Sequence, residues 1–279
     1  MDALWAGLID DAVMLPPAEA SAEQAAAEHL EHRQAWYAEA VGPLVVPDDQ
    51  LAAVDRAFGD LGAGPVDVQA VNTTGAGGLV SLTGRTFENL TIVSVESPLR
   101  DLSDLAGNAA RVVAAARELP SDVGVFVELP AHHGWERALE TVEAEGLSGM
   151  IRTSDDPAGP NSITLHDQLR VLVEADLPFK VAGGLHHAWA DSSTYGNVEI
   201  NRHGFVTVMA ALLAVVDGAN PDEVDRLLDL TDTAALTALL DGWGEAEKRK
   251  IRRRFLGFDC DGVTDPIDDL VRLGQLHRG

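Results

Sequence analysis

The sequence predicts a closed (βα)8 barrel of the TIM type, and three features of the chain predict it. Short apolar segments with strand-like alternation are repeatedly followed by longer segments with helical periodicity. Eight such strands are found, and right-handed crossovers through helices add parallel strands one at a time, which favours a closed barrel over an open doubly wound sheet. Polar residues gather at the C-terminal ends of those strands, where barrels carry their chemistry. The 279 residues, 46% of them hydrophobic, suffice for one large core, and residues 1–279 are read as one domain.

Gly7–Leu15 reads as the first strand, stopped by Pro16-Pro17. Ala18–Ala40 follows as an amphipathic helix, with Ser21 as N-cap and Gln24 three residues on, the spacing of a capping box. Leu44–Val46 is the second strand, with a helix over Asp48–Phe58. Val66–Val71 is the third, and the loop Asn72–Gly78 leads from it into a short helix. Leu90–Val95 is the fourth, ending at Glu96-Ser97-Pro98, with Leu102–Leu119 helical behind it. Val123–Val127 and Ser148–Arg152 are the fifth and sixth, followed by helices over Trp135–Glu145 and Thr164–Ala175. The seventh lies in Pro178–Ala182, and a long loop separates it from the strongly apolar helix Phe205–Val216. Phe255–Phe258 is the eighth, with a terminal helix over Pro266–Leu276, and Pro221–Leu240 is a helical insertion before that last strand.

A formal charge of −25 argues against nucleic acid and anionic membrane surfaces as partners, because the summed field repels phosphates. The one basic run, Lys248–Arg254, reads as the polar end of a helix. Only three lysines occur, Lys180, Lys248 and Lys250; adaptation to high salt and an Ala/Arg/Asp-rich composition both produce such a surface. One cysteine, Cys260, allows no intramolecular disulfide. With no leading signal segment and no apolar run of membrane-spanning length, a cytoplasmic protein is expected.

The strand ends bring together Asp10-Asp11, Asp48, Asn72, Glu96, Glu128, Arg152, Lys180 and Asp259. In Phe179-Lys180-Val181-Ala182 the period of two turns the apolar pair one way and the lysine the other. An inward lysine is either held as an ion pair, by Glu128 or Asp259, or used chemically. Arg152, on the neighbouring strand, either depresses the lysine pKa or clamps an anion. Gly183-Gly184 offers backbone to a phosphate or carboxylate. His186 and His187 point to opposite sides of an extended segment, so one of them enters the site and the other is a surface histidine; His203-Gly204 opens the next helix. Asp10-Asp11 either joins the site or caps the turn before Pro16-Pro17, and Cys260 reads as packing.

Leu8–Ala12, Ile151-Arg152-Thr153, Phe179–His187, His203-Gly204-Phe205 and Phe258–Leu273 resemble an uncharacterised bacterial family of (βα)8 barrels without an established activity. Ser154-Asp155 stands where that family has Gly-Gly, and Val181-Ala182-Gly183 where it has Ala-Thr-Ala. More distantly, Phe179–Gly184 is similar to the second lysine strand and Gly-Gly phosphate loop of class I aldolases of the deoxyribose-phosphate type. Ile151–Ser154 is similar to the strand that carries their Schiff-base lysine, but Arg152 occupies the lysine position. Arginine stays protonated and forms no imine, so this resemblance implies an aldolase only if Lys180 takes over that role.

Three classes of function follow. In a lyase of aldolase type, Lys180 is nucleophile or general base and Glu128 or His186 moves protons. Arg152, Gly183 and Gly184 then hold a small anionic carbonyl metabolite, with Asp10, Glu96, Asp259, His187 and His203 around it. No organic cofactor is implied. In a metal-dependent lyase, isomerase or hydrolase, His186 or His187, His203, Glu128 and Asp259 are ligands, although no metal signature of fixed spacing is present. The third class is a silent barrel that binds a small molecule or a further copy of itself.

Overall fold

A computed structural model of the chain describes residues 1–153, 163–195 and 198–278. Eight parallel strands close into a barrel: β1 (Ile9–Asp11), β2 (Val41–Pro47), β3 (Val66–Val71), β4 (Leu90–Pro98), β5 (Gly124–Glu128), β6 (Ser148–Arg152), β7 (Phe179–Ala182) and β10 (Phe255–Cys260). The last closes the sheet between β7 and β1. Around it run α1 (Ala22–Gln34), α2 (Leu51–Asp60), α3 (Ala76–Leu82), α4 (Leu105–Ala116), α5 (Trp135–Ala144), α6 (Leu165–Glu174) and α7 (Phe205–Val216). α11 (Thr264–Arg272) ends the series. The TIM-type fold expected from the sequence is present, and no described helix is long and apolar enough to cross a membrane.

Several boundaries differ for identifiable reasons. Ser21 and Gln24 form the capping box that starts α1. The helix does not continue to Ala40, because Ala35 is extended and a 3-10 turn over Ala38–Ala40 feeds directly into β2. The first strand stops at Asp11, whose carboxylate accepts from Val13 N–H and bends the chain. The other Asp11 oxygen meets His29 Nδ1 at 2.9 Å, which ties α1 to β1. The expected insertion is α8 (Pro221–Leu228) and α9 (Thr233–Asp241), extended by α10 (Glu245–Arg252). Acidic residues in the first turn of α10 and basic ones in its last suit the helix dipole, so the basic run is a helix end. Arg252 donates to the carbonyls of Phe255, Leu256 and Ala6, pinning the start of β10 to the N-terminal segment. The loop before α7 contains an antiparallel hairpin, β8 (Asp191–Tyr195) and β9 (Val198–Arg202), which the sequence reading leaves as a loop. Ser154 and Asp155 lie outside the described residues.

The main apolar core lies between strands and helices. α7 is buried from Phe205 to Leu213, and Phe205 stacks on Phe258 of β10 at 5.0 Å between ring centroids. Inside the barrel the apolar content is small: Phe126, Met150 and Ala182 cluster together with Leu256 against them. Gln69, Ser94, Glu96, Lys180 and Asp259 are polar inward positions above them, with Val71 beside Glu96 at the mouth. Two glycines leave them room. A Cβ on Gly42 of β2 would stand 2.0 Å from Asp10 Oδ1, and one on Gly257 of β10 would stand 2.9 Å from the Leu8 carbonyl and 3.7 Å from Lys180 Cε.

Gly42→Ala therefore drives a methyl into the Asp10 carboxylate. It is expected to lower unfolding free energy by about 1–3 kcal/mol, the range for overpacking a close-packed interior. Urea unfolding measures this; unchanged stability would mean that Asp10 does not lie against Gly42.

Candidate active site

Lys180 projects from β7 into the barrel and is 6% exposed. Its ammonium donates to Asp10 Oδ2 on β1 and, at 2.6 Å, to Gln69 Oε1 on β3, and it sits 4.6 Å from the Phe126 ring centroid. Its ion-pair partner is thus Asp10, in place of the expected Glu128 or Asp259. Burial raises the Asp10 pKa, opposed by the charge and hydrogen bond of Lys180. The remaining Asp10 oxygen is buried without a donor, against Gly42.

Gln69 connects this pair to a second one. Its Oε1 also accepts from Ser94 Oγ at 2.9 Å, and its Nε2 donates to Glu96 Oε1 on β4. Glu96 and Asp259 of β10 both line the mouth, and Asp259 is 4% exposed with neither oxygen hydrogen-bonded among the described residues. Buried together, the two carboxyls disfavour each other's charged form, and both are displaced upward. Glu96 is pushed well above the ordinary carboxylic range by burial and then by the charge of Asp259. Asp259 is raised to about 6 by burial and then by the charge of Asp10. Three carboxyls, Asp10, Glu96 and Asp259, and one ammonium thus share the upper barrel.

Above this layer opens a cleft of about 360 Å³, whose lining includes Glu96, Asp259, Arg152, Gly183, Gly184 and His186. Arg152 on β6 forms a two-point ion pair with Glu128 through Nε (3.1 Å) and Nη2 (3.3 Å). Glu128 is therefore engaged by arginine and does not hold Lys180. Nη1 of Arg152 turns toward Gly183, 3.3 Å from where a Cβ there would lie. Gly183 and Gly184 have φ of +66° and +80°, and a Cβ on Gly184 would come within 1.9 Å of the Thr153 carbonyl. Only glycine fits that crossing of the β7 and β6 ends.

Of the tandem histidines, His186 lines the cleft and pairs with Asp261 Oδ1 at 3.1 Å. His187 is a correction to the expected site set. Its Nδ1 meets the buried Asp269 of α11 at 2.9 Å, and its ring stacks on Trp189, so it fastens the loop to α11. His203 is a second correction, since its Nδ1 bonds the Leu228 carbonyl at the end of α8. Asp48 and Asn72 hold the β3 loop, through Thr73 and through Gly75 and Ser97 respectively. Sequence reasoning missed Gln69, Ser94 as a hydrogen-bond partner, and Asp261. A polar Gln69 amid Val66, Val68, Ala70 and Val71 was the available signal for the first; Asp261, just past the strand, had none.

Fold and site together define a (βα)8 barrel whose C-terminal mouth carries a buried lysine and two buried carboxyls of raised pKa. No protein-family model matches the chain. No curated protein matches it. Among solved structures it is similar to the YdjI aldolase from Escherichia coli K12, at 10% identity and TM-score 0.40, covering 98% of this chain and 92% of that one. A protein assigned as a fructose-1,6-biphosphate aldolase from Coccidioides immitis is similar at 8% identity and TM-score 0.39, covering 97% and 94%. At such values the chemistry has to be argued from the residues themselves.

Glu96 and Asp259 titrate higher folded than unfolded, so the folded chain binds the extra protons. Their contribution to stability is full below about pH 4, the unfolded value, and falls as pH rises above it, through about 6 for Asp259. The expected slope is about 1.4 kcal/mol per pH unit per proton. Urea unfolding of wild type and Glu96→Gln across this range checks it: the variant should lose the part of the slope that Glu96 supplies and keep that of Asp259, and identical pH profiles would rule out a raised Glu96.

Proposed function

We propose that the cleft is the active site of a lyase of aldolase type acting on a small anionic carbonyl compound, with Lys180 as the amine nucleophile. The observation that carries this reading is the placement of Lys180 between one carboxylate that can take its proton and a carboxyl pair that can give one. Exchanging Lys180 ammonium and Asp10 carboxylate for neutral amine and carboxylic acid leaves the net charge of the barrel unchanged. The raised pKa of Asp10 favours that exchange.

The steps balance as follows. Asp10 takes the ammonium proton, and the amine adds to the substrate carbonyl. The hydroxyl of the resulting carbinolamine leaves as water, with a proton from the Glu96–Asp259 pair. The iminium draws electrons from the adjacent carbon–carbon bond as Asp259 accepts the β-hydroxyl proton. That proton returns to the enamine carbon, water hydrolyses the second iminium to release the ketone and the Lys180 ammonium, and the proton on Asp10 passes back to the Glu96–Asp259 pair through water. Arg152 and the Gly183-Gly184 turn hold the substrate anion at the mouth.

A second reading has an observation in its favour. The Lys180 ammonium is saturated by Asp10, Gln69 and the Phe126 face, and lies beneath the residues that line the cleft. There it remains a fixed cation that stabilises developing negative charge, and the carboxyl pair alone performs proton transfer.

Reductive trapping separates the two. The folded protein is incubated with short keto acids, hydroxyaldehydes and phosphorylated aldehydes in the presence of cyanoborohydride, and its peptides are weighed. Saturable modification of Lys180 by one compound class, ahead of the control lysines Lys248 and Lys250, is the expected result. Label confined to the two helix lysines would end the imine reading. Against the compound so found, Lys180→Arg should lose about 10³-fold or more in kcat, and Glu96→Gln about 10²–10⁴-fold.

A further inference from the structure

Beside the carboxyl pair, but outside the chemistry just described, three unlike donors converge at one edge of the cleft. His186 belongs to the loop after β7, Cys260 is the last residue of β10, and Asp261 follows it. One imidazole nitrogen, the thiol sulfur and a carboxylate oxygen all lie within 4.8 Å of one another. Bonds of about 2.0–2.3 Å in a tetrahedral arrangement set donors about 3.3–3.8 Å apart, so closure on an ion draws the widest pair in by up to about 1 Å. His186 and Asp261 already meet at 3.1 Å and both line the cleft, which gives an ion an entry path.

We infer that His186, Cys260 and Asp261 form a three-ligand site for one zinc-type transition-metal ion, with its fourth position open to the cleft. Nitrogen, sulfur and oxygen together suit zinc or cobalt(II) and not magnesium or calcium, which prefer oxygen alone. Three protein ligands and an open position form the pattern of a catalytic or substrate-binding ion, whereas structural zinc sites are closed by four.

Cys260 also packs in the apolar core. It is 1% exposed, and burial together with Asp261, Asp265 and Asp11 pushes its thiol pKa upward, which makes it a poor free nucleophile. A bound cation reverses that penalty: the thiol gives its proton to solvent and the thiolate binds the metal, with no change in oxidation state. The ion's open position would take an oxygen of an anionic substrate. The site stands independently of imine formation at Lys180, because none of its three ligands takes part in that chemistry.

The full chain is stripped with chelator, exchanged into metal-free buffer and titrated with cobalt(II), then with zinc. The expected result is one cobalt per chain, a thiolate-to-cobalt charge-transfer band in the near ultraviolet, and loss of that band when zinc displaces cobalt. Cys260→Ser should abolish the band, His186→Gln should weaken cobalt and zinc binding about 10–100-fold, and His203→Ala should leave both unchanged. Circular dichroism verifies that each variant folds; if Cys260→Ser does not, the partly exposed His186→Gln decides. No stoichiometric cobalt, or cobalt bound without the thiolate band, would overturn the site and reduce His186–Asp261 to an ordinary ion pair. Either outcome leaves the trapping of Lys180 unaffected, so the two ideas fail separately.

Discussion

The upper half of the barrel depends on the ion pair between Lys180 and Asp10. Placing an ammonium inside a closed sheet costs several kcal/mol unless an opposite charge and further hydrogen bonds accompany it. Asp10 supplies the charge, Gln69 a carbonyl oxygen and Phe126 a ring face. The pair fits because Gly42 and Gly257 present no side chain where the Asp10 carboxylate and the lysine stem pass. Without Asp10, Lys180 would face Glu96 and Asp259 alone.

Gln69 fixes direction in the network: its carbonyl oxygen accepts from Lys180 and Ser94, so its amide group must donate to Glu96. Glu96 and Asp259, buried with their pKa values raised, can hold exchangeable protons near the lysine. A buried ammonium on one side and an exchangeable proton on the other bracket the position a substrate carbonyl would take under the proposed chemistry. Arg152, steadied by Glu128, keeps one face of its guanidinium beside the glycine turn.

The histidines show how loops around a mouth divide their labour. His187 and His203 fasten loop and helix backbones to α11 and α8, whereas His186, one residue before His187, turns to the cleft. Alternation along an extended segment predicts that division for the tandem pair, because neighbouring side chains point opposite ways. It does not say which of the two faces inward. Asp269, buried on the last helix and also accepting the Ala188 N–H, settles that by holding His187.

The sequence by itself determined the barrel, the positions of its strands and the inward direction of Lys180, because the strand period of two and the helical repeat are local properties. Its strand ends also named Asp10, Glu96, Arg152 and Asp259 as rim residues. The early end of α1, the shortness of β1 and the hairpin before α7 were not legible, since each is set by turns and pairings whose partners lie elsewhere in the chain. Only the tertiary structure decided the pairings: Lys180 with Asp10 across 170 positions, Gln69 with Glu96, Arg152 with Glu128, and His186 with Asp261. Barrel closure sets β10 and β1 beside β7, so residues far apart in the chain become neighbours. Which carboxylate receives the lysine then depends on where two glycines leave space, and no local pattern carries that.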